Sequence, residues 1–505
     1  MTAPNAFGAA ARADQGRRPY RPEQVLRVLV EAAPTSVPAV LGRHGHQRPT
    51  ARSRVHERGT RTCAIVVVDS ARSWYCRTVT TPPAYRPRLA DAHLGELLAE
   101  FPAVMINGAR ATGKTTTARQ HVAEVLSLDV PGVAAAMRAD PDAALRRVGR
   151  PVLLDEWQEA PEVLGAVKRA VDRDSRPGQF LLTGSVRAEL THEMWAGTGR
   201  IVRLPMYGLT ERELHDEVAP QRSPFLARLA GAGDASTRGE SVDEFFPLPA
   251  VLPDIDGYVA LALRGAFPEL AYRDRTRQGR ETWLSSYLDD LLTRDAATVE
   301  ERKDPVRLRR YFEAVSLNIA GMPTDLSLYE AAGLNARTAA SYDRLLESLY
   351  VMDHVPAWTS NRLKSLVQAN KRYVVDPALA AAATRLTPDA VLGDADMLGR
   401  IFDAFGLAQL RPEAAIAYPK PLIRHLRTRG GRQEVDLVVE LSVGRVVGLE
   451  FKAGAAPNER DARHLHWLAD EIGTDFVAGA VIHSGNQVYP LGERVWALPM
   501  CTLWG

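Results

Sequence analysis

Short apolar runs that end in polar or glycine-rich turns recur through the first half of the chain. Val104-Met105-Ile106-Asn107, Pro151-Val152-Leu153-Leu154 and Gln179-Phe180-Leu181-Leu182 show no polar alternation, the pattern of strands covered on both faces. Helical stretches separate them, including 116–126 after the first run. The strands are therefore predicted to lie parallel, joined by right-handed crossovers, with ligands at their carboxyl ends. Farther along the period changes to three or four: Trp283, Leu284, Tyr287, Leu288, Leu291 and Leu292 predict a core-facing helix over 281–299, with Asp289, Asp290, Arg294 and Asp295 read as its solvated face. Segments 326–332 and 337–349, joined through Gly333-Leu334-Asn335, have helix-turn-helix spacing, and strand-like runs follow near 351–358 and 372–375. A winged helix fits that order, as a packing module or with Asn335, Arg337, Thr338, Ser341 and Tyr342 as candidates to meet a nucleic-acid backbone. Near the carboxyl terminus a helix over 397–410 precedes two runs of period two, 434–441 and 445–452.

Composition sets the class. The 505 residues are 46% hydrophobic and 25% charged, enough for several domains with cores of their own. No run approaches the roughly 18–20 apolar residues of a membrane helix, and no secretory signal is recognisable, so a cytoplasmic chain is expected. Three cysteines, Cys63, Cys76 and Cys501, are too few and too scattered for a disulfide framework or a four-ligand zinc site. The formal charge of +2 hides an asymmetry: residues 1–88 hold 15 Arg, no Lys and 5 acidic residues. This basic extension lacks apolar periodicity and is expected to be mostly disordered. An extension with no function of its own is the expectation, with nonspecific attraction of its cations for nucleic acid as the alternative. Lysine is scarce, with 7 against 56 Arg. Lys114 and Lys452 stand inside motifs where a compact ammonium differs from a planar guanidinium; Lys168, Lys303, Lys364, Lys371 and Lys420 stand in none.

The first strand runs into Gly108-Ala109-Arg110-Ala111-Thr112-Gly113-Lys114-Thr115, a complete G-x-x-x-x-G-K-T loop. Gly108 and Gly113 let backbone amides face phosphates, Lys114 reaches the β/γ-phosphates, Thr115 offers its hydroxyl to magnesium, and Thr116 opens the following helix. The second strand ends in Asp155-Glu156. Asp155 is placed to hold magnesium through water, and Glu156 to orient or deprotonate an attacking water. The third strand closes in Thr183-Gly184-Ser185, where Thr183 and Ser185 are candidates to sense the γ-phosphate. Arg187 and Arg200 follow as candidate arginine fingers, with solvated surface as the alternative for either.

In the carboxyl-terminal pair of strands, a hairpin turn at Ser442-Val443-Gly444 sets Asp436 opposite Glu450 and Glu434 opposite Lys452, all on one face. Leu437, Leu449 and Phe451 then point to the core. Facing carboxylates beside a lysine have the logic of a metal-dependent nuclease: Asp436 and Glu450 hold magnesium, and Lys452 steadies the nucleophile or the developing charge. Asp403 supplies an upstream acid on a helix.

The segments NGARATGKTT, VLLDEWQE, LLTGS, LRGAFPE, WLSSYLDDLLTRD and EVDLVVE…GLEFKAG together resemble the bacterial and archaeal AAA-type ATPases fused to a domain of unknown function, DUF4143, over about residues 86–505. The resemblance implies an α/β chain with a P-loop ATPase core, a helical and winged-helix middle, and a carboxyl-terminal restriction-endonuclease-like domain. The expected layout is a basic extension over 1–88, the ATPase over 89–215, a linker with a short lid over 216–262, the helical region over 263–388, and the PD-(D/E)XK nuclease-like domain over 389–505. One departure stands out, because such families usually carry Glu where this chain has Asp403. ATP and Mg²⁺ are the expected cofactors. Two readings stay open: an ATP hydrolase coupling nucleotide state to handling of DNA or RNA, with metal-dependent cutting, or a nucleotide switch for a protein partner with an inactive nuclease-like domain. A homo-oligomer is compatible with both.

Overall fold

The computed structural model describes residues 85–187, 198–215, 223–300, 304–359 and 369–505. The expectations for residues 1–84, and for Lys303 and Lys364, lie outside them. Residues Arg86–Gly505 form one unit.

Five parallel strands, β1 (Ala103–Asn107), β2 (Glu124–Ser127), β3 (Val152–Asp155), β4 (Phe180–Gly184) and β5 (Val202–Pro205), form a sheet of order β2-β3-β4-β1-β5. Apolar residues on both sides of β1, β3 and β4 explain the burial of these central strands, while β2 and β5 at the edges are more exposed. Met105, Leu154 and Leu182 join the core under the helix Glu162–Arg173, while Val104, Ile106, Leu153 and Leu181 meet Leu94 of the helix Ala90–Glu100 on the other face. The helix expected over 116–126 is shorter. It covers Lys114–Ala118, tightens into a 3₁₀ turn at Arg119–His121, and Glu124–Ser127 is instead β2, whose backbone pairs with β3. The short apolar pair Val125-Leu126 fits either state, and the ladder decides.

Two further expectations need correction. The stretch 216–262 holds a buried helix, Phe225–Thr237, and the start of another, Ile255–Arg264. Phe225, Leu226, Leu229, Ala232 and Ala235 give the first a continuous apolar face, which the glycine and proline content obscured. The tail, for its part, ends earlier than residue 88. The Arg88 guanidinium is buried, donating to Glu213 Oε1 at 2.8 Å, to the Thr112 carbonyl at 2.9 Å and to the Tyr207 carbonyl at 3.0 Å.

In the helical middle, Arg277–Asp290 continues through a π-helical turn, Leu291–Asp295, into Ala296–Val299. The helix Asp325–Ala331, a turn and the helix Ala336–Ser348 then lead to an antiparallel ribbon of β6 (Met352–Val355) and β7 (Lys371–Val374). The carboxyl-terminal part opens with the long helix Ala395–Ile416, followed by β8 (Leu422–Arg427), β9 (Glu434–Ser442), β10 (Arg445–Lys452), β11 (Phe476–His483), β12 (Tyr489–Gly492) and β13 (Val495–Pro499). These strands form a mixed sheet of order β12-β13-β11-β10-β9-β8. One core, from Phe225 through Tyr311 and Phe405 to Trp504, joins the middle to this sheet. Gly406 lets the long helix lie against β10, since a Cβ there would come within 2.1 Å of the Phe451 ring. Among the described residues no helix is long and apolar enough to cross a membrane.

Candidate functional site

The carboxyl ends of β1, β3 and β4 bring the predicted nucleotide residues together. Gly108 sits under the chain leaving β5: a Cβ there would lie 2.0 Å from the Met206 carbonyl oxygen, so no other residue fits. Ala111 (φ 62°) and Glu156 (φ 56°) both adopt left-handed backbone, uncommon for residues other than glycine and concentrated at functional sites. Lys114 is buried and folds back, Nζ donating to the carbonyls of Gly108 at 3.0 Å and Ala109 at 2.8 Å. Burial pushes its ammonium down to about 8, with the nearby Glu156 and Asp155 opposing the shift.

Thr115 donates to Asp155 Oδ1 at 2.8 Å, and Thr183 donates to the same oxygen. The Glu156 amide lies 3.4 Å from Thr183 Oγ1, and Gln158 bridges Glu156 Oε2 at 2.5 Å and Ser185 Oγ at 3.3 Å. Thr115, Asp155, Glu156, Thr183 and Ser185 thus belong to one hydrogen-bonded network, with Gln158 as a member that the motif reading passed over. Its position two residues after Glu156, at the mouth of the same strand, was the available signal. Thr116 is exposed, its carbonyl accepting from Gln120. The Thr115 hydroxyl and Asp155 carboxylate, converging at the strand ends, are a donor set that fits a magnesium ion.

The flanking arginines are both engaged. Arg200 pairs with Asp172 at 2.9 Å on the surface. Arg187 reaches into the middle region, its Nη1 on Glu347 at 2.7 Å and its guanidinium over the Tyr350 ring. Asp295, expected on a solvated face, is buried and accepts from Arg110 of the P-loop at 2.5 Å, while the Tyr287 hydroxyl donates to the Arg110 carbonyl at 3.2 Å. The π turn places Asp295 there, and a regular helical period mispredicts its direction.

Of the candidate nucleic-acid residues, Tyr342 lies in the core, 2% exposed, and Asn335 caps its own helix by accepting from the Thr338 amide. Ser341 reaches toward Glu300 at 3.4 Å, whereas Arg337 is exposed and Thr338 half-buried.

The second constellation lies where the long helix meets the mixed sheet. Pairs from Val446↔Glu440 to Leu449↔Leu437 keep the register that sets Asp436 against Glu450, with a bulge next to the Val443-Gly444 turn. Glu434 lies farther out, paired with Arg427 on β8. Lys452 donates to Glu450 Oε1 at 2.7 Å. The unforeseen member is Lys371 of β7, which is buried and donates to Asp403 Oδ2 at 2.6 Å and to Asp436 Oδ1 at 2.9 Å. Tyr373, two residues on and on the same side of β7, donates to Asp403 Oδ1 at 3.0 Å, and the Phe451 amide donates to Asp436 Oδ2 at 2.9 Å.

These contacts set the protonation states. Burial pushes Asp403 up to about 7 against the pull of Lys371. Burial and the adjacent Asp436 push Glu450 up to about 8. Asp436 is held below the usual carboxylate range, because Lys371 and the Phe451 amide outweigh its burial. Burial works against the Lys371 charge too, yet the two aspartates hold its ammonium well above the ordinary value. Both oxygens of Asp403 and of Asp436 are therefore taken by protein donors, and only Glu450 Oε2 is buried without a partner. Among the described residues no group of three or more His, Cys, Asp or Glu is placed to hold a metal ion. With the Lys371 ammonium seated between Asp403 and Asp436, the cluster as it stands meets a magnesium ion with a fixed positive charge and does not fit it. An open cleft of about 450 Å³ leads to it, rimmed by Arg400, Arg427 and Arg463.

Models of three families match successive parts of the chain: an AAA domain over residues 100–215, the domain of unknown function DUF8612 over 255–390, and the domain of unknown function DUF4143 over 398–503. Uncharacterized proteins of Mycobacterium tuberculosis and Mycobacterium bovis are each 27% identical over 420 residues, 82% of this chain and 83% of theirs. A Walker-type ATPase of Pyrococcus abyssi aligns at a TM-score of 0.34 and 14% identity, over 59% of this chain and 94% of its own. With the P-loop, the parallel sheet and the matched segments in their order, the chain is an AAA-type P-loop ATPase with a carboxyl-terminal DUF4143 domain.

Proposed function

We propose that this protein is an ATP-hydrolysing switch that passes its nucleotide state to the DUF4143 domain, which engages a protein partner without cutting nucleic acid. When bound at Thr115 and Asp155, magnesium neutralises phosphate charge. Lys114 leaves the Gly108 and Ala109 carbonyls for the β/γ-phosphates, Glu156 takes or orients the proton of the attacking water, and Gln158 and Thr183 fix the Glu156 and Asp155 carboxylates.

The observation that carries the switch is a chain of charged contacts leaving the γ-phosphate side of the site. Arg187, just past β4, pairs with Glu347 at 2.7 Å; Glu347 lies 3.7 Å from His354 Nδ1; His354 Nε2 meets Asp343 at 3.1 Å; and Asp343 meets Arg372 of β7 at 3.4 Å. Arg372 neighbours Lys371, which grips Asp403 and Asp436. A change at the end of β4 thus has a contiguous route to the DUF4143 domain.

Two observations favour a protein partner. The helix-turn-helix segment Asp325–Ser348 carries two cations of its own, Arg337 and Arg344, few for phosphates to meet. Two of the acids a nuclease would use, Asp403 and Asp436, are already engaged by Lys371.

The test is ATP turnover by the purified chain beside Lys114→Ala and Glu156→Gln, with DNA and RNA cleavage assayed in Mg²⁺ and Mn²⁺. Turnover lost in both variants, with binding kept in Glu156→Gln and no cleavage, supports the reading. Cleavage abolished by Asp436→Asn defeats it.

A further inference from the structure

We infer that the Lys371 ammonium is the resident cation of the DUF4143 cleft. It stands between Asp403 and Asp436, beside the place expected for a divalent ion at Asp436 and Glu450, and it ties the β6–β7 ribbon to the carboxyl-terminal sheet as a metal-free ionic clasp. The inference rests on geometry and does not depend on the switch reading.

Four contacts define the clasp. Lys371 Nζ lies 2.6 Å from Asp403 Oδ2 and 2.9 Å from Asp436 Oδ1, bridging the long helix and β9. Tyr373 takes the second oxygen of Asp403, and the Phe451 amide takes the second oxygen of Asp436. The ammonium is 4% exposed at its side chain, so it is a built part of the interior. An ammonium offers three donors and no acceptor, which suits two carboxylates and a neighbouring ring, here the Tyr373 face 5.6 Å away. A divalent ion ligated by these oxygens would lie within about 4 Å of that fixed charge, a repulsion between a double and a single charge that lowers metal affinity by several orders of magnitude. Lys371 and Tyr373 are alternate residues of one strand, so period two delivers both to the same aspartate. The scarcity of lysine agrees with this role: a compact ammonium fits between two carboxylates where the broader guanidinium that the chain uses elsewhere does not.

The experiment counts Mn²⁺ bound per full-length chain by electron paramagnetic resonance, without nucleotide, in wild type, Asp436→Asn, Lys371→Ala and Lys371→Ala/Asp436→Asn. Wild type and Asp436→Asn should bind Mn²⁺ alike, because the cleft holds none. Lys371→Ala should gain one site, tighter by at least a hundredfold than any in wild type, and lose it again when Asp436→Asn is added. Lys371→Met keeps the aliphatic stem and replaces the alanine variant should that fail to fold. Wild-type Mn²⁺ binding that disappears in Asp436→Asn overturns the inference, as does a folded Lys371 variant that gains no site.

Discussion

Replacing Arg212 by Met removes half of a buried ion pair that ties the ATPase part to the DUF4143 domain. Arg212 belongs to the helix Glu211–His215 and Glu413 to the helix Ala395–Ile416; each side chain is 3% exposed. Glu413 accepts from Arg212 through Oε1 and from the Phe225 amide through Oε2 at 2.8 Å. Burial already pushes this carboxyl above its ordinary 4.5, with Arg212 opposing. Without the guanidinium the carboxylate keeps one donor, and taking up a proton becomes its easiest response. Protonating such a group at pH 7 costs at most about 3.4 kcal/mol, at about 1.4 kcal/mol per pH unit. That lies within the roughly 3–5 kcal/mol range for orphaning a buried charge.

Because part of this cost is already present in the wild type, Arg212→Met should lose about 2–3 kcal/mol at pH 7, read from urea unfolding followed by tryptophan fluorescence. The sign with pH is fixed. In the variant Glu413 holds a proton that the unfolded chain releases, so stability rises as pH falls, and the deficit should shrink to about 1 kcal/mol at pH 5.5. Adding Glu413→Gln removes the charge and should abolish that pH dependence. A deficit below about 1 kcal/mol at pH 7, or one that stays constant down to pH 5.5, would show that Glu413 is not left as an orphaned buried charge.

Three further outcomes are expected. ATP affinity should decline between pH 7 and 9 as Lys114, brought down to about 8 by burial, loses its proton, and Lys114→Arg should flatten that decline in a titration with fluorescent nucleotide. Gly108→Ala should lose nucleotide binding at least a hundredfold by the same titration, because the new Cβ would collide with the Met206 carbonyl and displace the loop. His354 is held up to about 9 by Asp343 and Glu347, although burial opposes its charge. Its stabilisation is therefore complete below pH 6.5 and lost as pH rises through 9; the gap in melting temperature between wild type and His354→Asn should close over pH 7–10.

The convergence of the expected nucleotide residues was legible because their motifs are local: strand, loop and acidic strand end all sit in short contiguous segments, and the fold brings Lys114, Thr115, Asp155 and Thr183 together at the carboxyl ends of β1, β3 and β4. The β9–β10 register was legible for the same reason, since one tight turn fixes it. Contacts distant in sequence were not. Lys371 reaches Asp436 across 65 residues and Arg110 reaches Asp295 across 185, and no periodicity encodes either meeting. The π turn that aims Asp295 inward has no composition signal, and the Phe225 helix was hidden by glycines and prolines around it. Lysine scarcity was a usable clue to Lys371, for a residue kept as Lys in so arginine-rich a chain has a chemical reason to be one.

In the proposed switch, nucleotide state travels from the Walker site through Arg187, Glu347 and His354 to β7. The most direct measurement is amide hydrogen exchange of the full chain carrying Glu156→Gln, compared with ATP and with ADP, and repeated with Glu347→Ala added. ATP should change exchange in the P-loop, in the helix Ala336–Ser348 and in β7, and Glu347→Ala should confine the change to the ATPase sheet. Exchange that responds to ATP only within residues 103–187 contradicts the switch.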